Sequence, residues 1–92
     1  MQNKKEYFVY ILECNDGSLY TGYTVDLERR IVEHNEGKCG AKYTRSRLPV
    51  RMVWSQICET LSDALKLEIK IKKLKKIQKI DIVNSGDTVL NY

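Results

Sequence analysis

The stretch "YILECNDGSLYTGYT", residues 10–24, decides the fold, because two β-type segments flank a short turn sequence. Residues 15–17 are typical of a three-residue hairpin loop whose final glycine adopts the left-handed conformation. With this loop, Tyr10 pairs with Gly22, and Tyr20 lies on the same sheet face because side chains alternate with a period of two. A two-residue turn would instead place the two tyrosines on opposite faces. The three-residue loop therefore predicts one face with two phenols beside a glycine.

The remaining segments predict one further strand and three helices. Residues 50–58 alternate in polarity and predict a strand, whereas residues 39–49 carry little periodicity and predict a loop. Helical patterns begin after Thr24, which we expect as N-cap, and after Thr60, and a last short helix runs to about residue 84. The first of these helices is expected to stop at Gly37.

Length, charge and cysteine content narrow the class of protein. The chain has 92 residues, enough for one domain with a core over about residues 7–84, and its net charge of +4 favours a polyanionic partner. Cys14, Cys39 and Cys58 are widely spaced and odd in number, which favours reduced thiols over a disulfide scaffold. The N-terminal apolar run is too short for a signal peptide or a membrane span. We therefore expect a cytoplasmic protein without a membrane partner.

Three ionisable residues occupy positions where a plain core favours apolar side chains. Glu68 lies in the middle of the apolar stripe of its helix, formed by Leu61, Ala64, Leu65 and Ile71. Arg30 lies at the edge of another stripe and His34 lies inside it. Each has a purely structural interpretation: Glu68 could be neutralised by Arg30 in an ion pair, and His34 and the tyrosines could be satisfied core residues.

Taken together, Tyr10, Tyr20, Arg30, His34 and Glu68 suit phosphodiester hydrolysis if they share one pocket. A hard cation such as Mg²⁺ can be held by one carboxylate, substrate oxygens and water. The guanidinium can clamp a phosphate, and a phenol beside a cation can act on the attacking water, which the imidazole would help to orient. Gly22 would leave room for the phosphate to approach.

At these residues the chain resembles the GIY-YIG endonuclease superfamily, most closely its short stand-alone bacterial members, which are similar to the catalytic domain of structure-specific DNA-resolving nucleases. "FVY" at 8–10 and "YTG" at 20–22 match the two name-giving elements in part, "DLERRIVEHN" matches the next helix, and "ALKLEIKIKKL" matches the helix with the metal-binding glutamate. The match spans about residues 7–84. Phe8 and Tyr23 depart from the family pattern, which often has glycine and lysine there.

The resemblance implies an α/β (α+β) fold with a small three-stranded antiparallel sheet flanked by helices, in the order β-β-α-β-α-α. It implies metal-dependent cleavage of DNA, with Mg²⁺ or Mn²⁺ as cofactor and Glu68 as the sole protein metal ligand. It also gives Tyr20 the role of general base, supported by Tyr10. A late asparagine near the metal, common in the family, is either Asn84 or Asn91 here.

The preferred interpretation is an endonuclease that acts on branched, flapped or nicked DNA. Phosphate binding is predicted for a cluster of cations, Lys42, Arg45, Arg47 and Arg51. The first alternative is a nucleic-acid-binding module with the nuclease fold but little turnover. The second is a catalytic subunit that needs a protein partner for substrate choice. The sequence leaves open the oligomeric state, the metal preference and any action on RNA.

Overall fold

Three antiparallel strands form one sheet in the order β2-β1-β3, with four helices around it. The structure is a computed structural model and describes residues 6–36, 41–90 and 92. The elements along the chain are β1 (Tyr7–Glu13), β2 (Leu19–Thr24), α1 (Leu27–Glu36), α2 (Lys42–Arg45), β3 (Arg51–Cys58), α3 (Leu61–Lys72) and α4 (Lys76–Ser85). The predicted fold class, element order and antiparallel sheet are confirmed, apart from the additional short helix α2.

The hairpin between β1 and β2 has the predicted three-residue loop. The Cys14 amide donates to the Ser18 carbonyl at 2.8 Å, and Gly17 has a φ of 83° in the left-handed region. Across the strands Tyr10 is paired with Gly22, and a bulge interrupts the pairing of β1 with β3 next to Ile11. The alternative two-residue turn is therefore wrong, and both tyrosines lie on one face.

Each sheet face carries its own core, because β1 alternates its side chains between them. On one face Val9 and Ile11 pack with Leu67 and other residues of α3. On the opposite face Tyr10 and Leu12 pack with α1 residues and with the ends of the strands, and the partly buried members there are Tyr20, Leu27, Ile31, Leu48 and Met52. The sheet thus separates the layer of α1 from the layer of α3.

Several local predictions need correction. Helix α1 is capped by Asp26, whose carboxylate accepts from the Arg29 amide at 3.1 Å, so the prediction of Thr24 as N-cap is wrong. Its predicted stop at Gly37 and the thiol of Cys39 lie outside the described residues. Residues 42–45, predicted as loop, form the single turn α2. These errors are confined to element ends and one four-residue helix, where periodicity carries little information.

The buried stripe of α3 differs from the predicted one. Leu67, with Ala64 and Ile71, forms the buried face, whereas Leu61 and Leu65 are 41% and 37% exposed. The prediction chose Leu65 in place of Leu67, because the two leucines are equally apolar and local spacing does not distinguish them. Glu68 therefore lies at the edge of the buried face and not in its middle.

Neither buried cysteine is in a disulfide: Cys14 and Cys58 are both free thiols. They lie in the cores of opposite sheet faces, which keeps them apart. Over the described part of the chain, no helix combines the length and apolar character needed to cross a membrane.

Candidate active site

A chain of hydrogen bonds runs from α1 across β1 to α2. The Arg30 Nε donates to the Tyr10 hydroxyl at 3.3 Å, and the same hydroxyl lies 3.0 Å from His34 Nε2. His34 Nδ1 lies 2.8 Å from the Thr44 hydroxyl, which donates to the Ala41 carbonyl at 3.0 Å. Tyr10, His34 and Thr44 are all buried. Four side chains from three elements are thereby held in one network.

The direction of these bonds fixes the histidine tautomer. Because the Thr44 hydroxyl gives its only proton to a carbonyl, it accepts from His34 Nδ1–H, and Nε2 accepts from the Tyr10 hydroxyl. The Ala41 amide also faces Nδ1, but at 3.5 Å it is too distant to decide the tautomer against the shorter contact. The hydroxyls of Tyr10 and Thr44 and the imidazole of His34 then each donate one bond and accept one, so these three buried groups are all paired.

Burial keeps both central groups of this network neutral. Burial, and secondarily the positive charge of Arg30, lowers the pKa of His34 from 6.5 to about 4. Burial likewise raises the pKa of Tyr10 to about 12, although its hydrogen bond with Arg30 opposes this change. Tyr10 therefore keeps its proton at neutral pH. The expectation that a cation eases proton loss does not hold for this phenol.

Tyr20 is the more accessible of the two predicted phenols. Its ring centroid lies 5.4 Å from that of His34 in an edge contact and 6.4 Å from that of Tyr10. On α2, the Tyr43 ring is stacked against Tyr20 at 6.0 Å. Tyr20 is only partly buried, so solvent or a substrate can reach it. His34, by contrast, has both ring nitrogens occupied and is fully buried, which fits positioning of Tyr10 and not contact with a water.

Gly22 provides the space that the Tyr10 phenol occupies. A Cβ atom at Gly22 would lie 2.7 Å from the Tyr10 hydroxyl oxygen and 3.1 Å from a ring carbon of Tyr20. The glycine is thus needed for the hydrogen-bond network itself. Its predicted role in substrate access stays a prediction.

Gly22→Ala is expected to destabilise the fold by about 1–3 kcal/mol, because the added methyl group must displace the Tyr10 hydroxyl from Arg30 and His34. Urea unfolding of the variant measures this loss. Gly17→Ala is a contrasting control, since its Cβ would meet no atom within 4 Å and strain arises only from its φ of 83°. Unchanged stability in Gly22→Ala would contradict the proposed packing.

Glu68 and Arg30 form ion pairs with different residues. The Glu68 carboxylate pairs with Lys72 at 3.2 Å, and Arg30 pairs with Glu33 at 3.0 Å. The structural alternative of a Glu68–Arg30 ion pair is therefore not the arrangement observed. The helix of Glu68, α3, packs on the sheet face opposite the two phenols, and the negative charge of Glu68 is the smallest of the causes that raise the pKa of Tyr10. The side chain is 14% exposed.

The oxygen chemistry at Glu68 suits a hard cation. Among residues 6–36, 41–90 and 92, no three His, Cys, Asp or Glu side chains cluster to hold a metal. A carboxylate that is 14% exposed does fit Mg²⁺ or Mn²⁺, which completes its shell with water and phosphate oxygens. The candidate late asparagine Asn84 is exposed at the end of α4, and Asn91 lies outside the described residues. Neither is assigned to the site.

The four predicted phosphate-binding cations differ in their surroundings. Arg47 contacts the hairpin loop through Asp16 at 3.1 Å, donates to the Tyr43 carbonyl at 2.7 Å and covers the Tyr43 ring at 4.1 Å. Arg51 pairs with Glu13, with 2.8 Å between its Nε and the carboxylate. Lys42 and Arg45 are exposed on α2. DNA binding by these four residues stays a prediction.

Arg45→Ala and Arg47→Ala are expected to affect different properties. Arg45→Ala should leave stability unchanged. It should lower the slope of log K against log salt concentration for duplex binding by the amount expected for about one phosphate contact. Arg47→Ala should cost about 1–2 kcal/mol of stability, because it removes two hydrogen bonds and a cation–π contact. Chemical denaturation and anisotropy titrations over a range of salt concentrations measure the two effects. Equal stability losses would contradict the assignment.

Two residues of the site were missed from the sequence, Thr44 and Tyr43. Both lie on α2, a helix too short to show periodicity, and neither residue type is unusual in a loop. The sequence does give a partial indication of Thr44. A histidine in an apolar stripe needs hydrogen-bond partners, and these must come from another segment of the chain.

Comparisons with known proteins place the chain in a family. The family model described as the GIY-YIG catalytic domain matches residues 6–81. A UPF0213 protein of Syntrophus aciditrophicus is 51% identical over 79 residues, covering 86% of this chain and 91% of that protein. A UPF0213 protein of Staphylococcus saprophyticus is 46% identical over 81 residues, covering 88% and 98%.

Solved structures of related proteins share the fold. The solution structure of a UPF0213 protein from Bacillus halodurans has 46% identity and a TM-score of 0.57, covering 87% of this chain and 84% of that one. The solution structure of a protein from E. faecalis has 42% identity and a TM-score of 0.62, covering 100% and 99%. The family match includes β1, β2, α1, β3 and α3, the elements that carry all five predicted catalytic residues. The chain therefore belongs to the GIY-YIG catalytic domain family, a family of nucleases, together with the short UPF0213 proteins.

Proposed function

We propose that this protein is a divalent-metal-dependent endonuclease that hydrolyses phosphodiester bonds in branched, flapped or nicked DNA during repair or recombination. One observation carries the proposal: a partly exposed Tyr20 packs against His34, which is hydrogen-bonded to Tyr10. The hydroxyl of Tyr10 in turn accepts from the charged Arg30 and is acted on by the charge of Glu68. Placing two phenols, an imidazole and a guanidinium in contact adds little to the stability of a core, so this cluster favours a functional role.

The roles of the residues follow from their exposure. Tyr20 is the phenol that water can reach, since its ring is partly exposed, and after losing its own proton to solvent the phenolate would take a proton from the attacking water. Tyr10 holds Arg30 through its hydroxyl oxygen, and His34 in turn fixes Tyr10. Arg30 is partly buried at the end of this network and would stabilise negative charge on the transferred phosphate.

Glu68 is the residue that would hold the metal ion. When bound, the cation would supply charge neutralisation for the phosphate and a more acidic water. Lys72 now neutralises the same carboxylate, so its ammonium group would have to leave one oxygen for the cation. The lysine is 51% exposed and flexible, which makes that exchange inexpensive.

Cleavage of labelled linear, nicked, flapped and branched DNA tests the proposal. We expect strand cleavage with Mg²⁺ or Mn²⁺, none in EDTA, and none with Glu68→Ala. A protein that binds these DNAs without cutting any of them under all metal conditions would instead be the binding module.

A further inference from the structure

A cavity of about 360 Å³ lies at the free edge of the sheet, beside Tyr20. It extends around the edge strand β2, because its walls include residues from both faces of that strand together with residues of α2, α3 and α4. The lining residues are Leu19, Tyr20, Thr21, Tyr43, Lys72 and Lys79. This cavity is thus continuous with the side of the candidate active site on which Tyr20 is exposed.

Two lysines line the cavity, and one of them, Lys72, is paired with Glu68 at 3.2 Å. Lys72 comes from the end of α3 and Lys79 from α4, so two helices bring ammonium groups to one wall. Lys79 is partly buried, and the described residues offer it no hydrogen-bond acceptor or ion-pair partner. The Lys79 ammonium group is therefore available to pair with an anion in the cavity.

Thr21 gives a second, independent indication of a missing polar partner. It is 3% exposed, and within the described residues its hydroxyl oxygen is the one buried side-chain polar atom without a hydrogen bond. A buried unsatisfied hydroxyl costs about 1–3 kcal/mol, so such groups in native proteins normally have a partner. Thr21 also lines this cavity, so a polar group bound there could supply the missing partner.

We propose that this cavity binds a phosphate group of the nucleic-acid strand next to the phosphate that is cut, with Lys72 and Lys79 as its cationic ligands. This inference rests on the proposed function and names the part of the substrate that the site holds. A phosphate diester fits better than a simple anion because the walls formed by Tyr20 and Tyr43 are aromatic. Such walls suit the apolar faces of the attached sugar and base. The strand would then pass around the edge of β2, from the cavity to Tyr20.

Binding of a fluorescent oligodeoxythymidylate of eight nucleotides tests this inference. EDTA in the buffer removes divalent metal, so that no cleavage takes place during the measurement. Lys79→Gln should reduce affinity at low salt roughly fivefold and lower the salt slope by about 0.7, as expected for one lost phosphate contact on a single strand. Lys66→Gln is the matched control, because Lys66 is an exposed lysine that lines a different cavity. It should leave the salt slope unchanged.

Equal losses in both variants would show a general effect of net charge and overturn the inference, as would no loss in Lys79→Gln. The readout is separate from the proposed activity. A wild-type protein that binds the oligonucleotide through Lys79 but cuts no DNA leaves the phosphate site standing and rejects the endonuclease. If the wild-type protein cuts DNA but the two variants have equal salt slopes, the endonuclease stands and the phosphate site is rejected.

Discussion

Glu68→Gln is expected to lower the rate of DNA cleavage by about 10²- to 10³-fold while DNA binding persists. The substitution keeps the volume and polarity of the side chain but removes the charge that would hold the cation. Loss of one strong electrostatic contribution to the transition state has about this effect on rate. Single-turnover cleavage at saturating protein separates the chemical step from binding, which anisotropy measures independently.

The same variant distinguishes a metal ligand from a structural residue. The ion partner of Glu68 is Lys72, which is 51% exposed, so loss of their i,i+4 pair should change stability by no more than about 0.5 kcal/mol. Glu59→Gln, at an exposed position before α3, is the matched control and should retain full cleavage. A large loss of stability for Glu68→Gln in EDTA, with normal cleavage in Mg²⁺, would contradict the metal-ligand role.

His34 is expected to make the protein about 3 kcal/mol less stable at pH 4 than at pH 7. The unfolded histidine binds a proton below its ordinary pKa of 6.5, whereas the folded one resists protonation until about pH 4. Stability is therefore fully present above pH 6.5 and decreases as the pH falls from 6.5 towards 4, at up to about 1.4 kcal/mol per pH unit. Urea unfolding at closely spaced pH values measures this slope.

His34→Gln isolates the contribution of the imidazole, because glutamine keeps an amide group but does not titrate. The difference in unfolding free energy between wild type and variant should shrink as the pH falls through this window. Asp16, whose pKa is lowered by hydrogen bonds from Ser18, acts equally in both proteins and cancels. Parallel pH profiles for the two proteins would show that the folded histidine titrates normally.

The hairpin could be predicted in detail because its register depends on local chemistry. A three-residue loop with glycine in the left-handed conformation allows one pairing, and that pairing fixes which side chains share a face. The relation of Tyr10 to Gly22 and the inward position of His34 follow from the periods of strand and helix. These parts of the candidate site needed no knowledge of tertiary structure.

The remaining contacts depend on how elements dock, which local patterns do not encode. The His34–Thr44 hydrogen bond joins two helices, and the orientation of α3 depended on a choice between two equivalent leucines, Leu65 and Leu67. The segment that follows α4 carries no pattern that predicts where it docks. It packs on β3, where Trp54 donates to the Asp87 carbonyl at 3.1 Å and Gln56 exchanges two hydrogen bonds with Val89.

The number of residues in the hairpin loop has a consequence for how this domain can evolve. Removing one residue from positions 15–17 would reverse the parity of β2, so that the Tyr20 ring would face the layer of α3 and Thr21 would face His34. The composition of the chain would hardly change, yet the phenols would be separated by the sheet. Evolution can therefore tolerate substitutions in this loop far more readily than insertions or deletions that change its length.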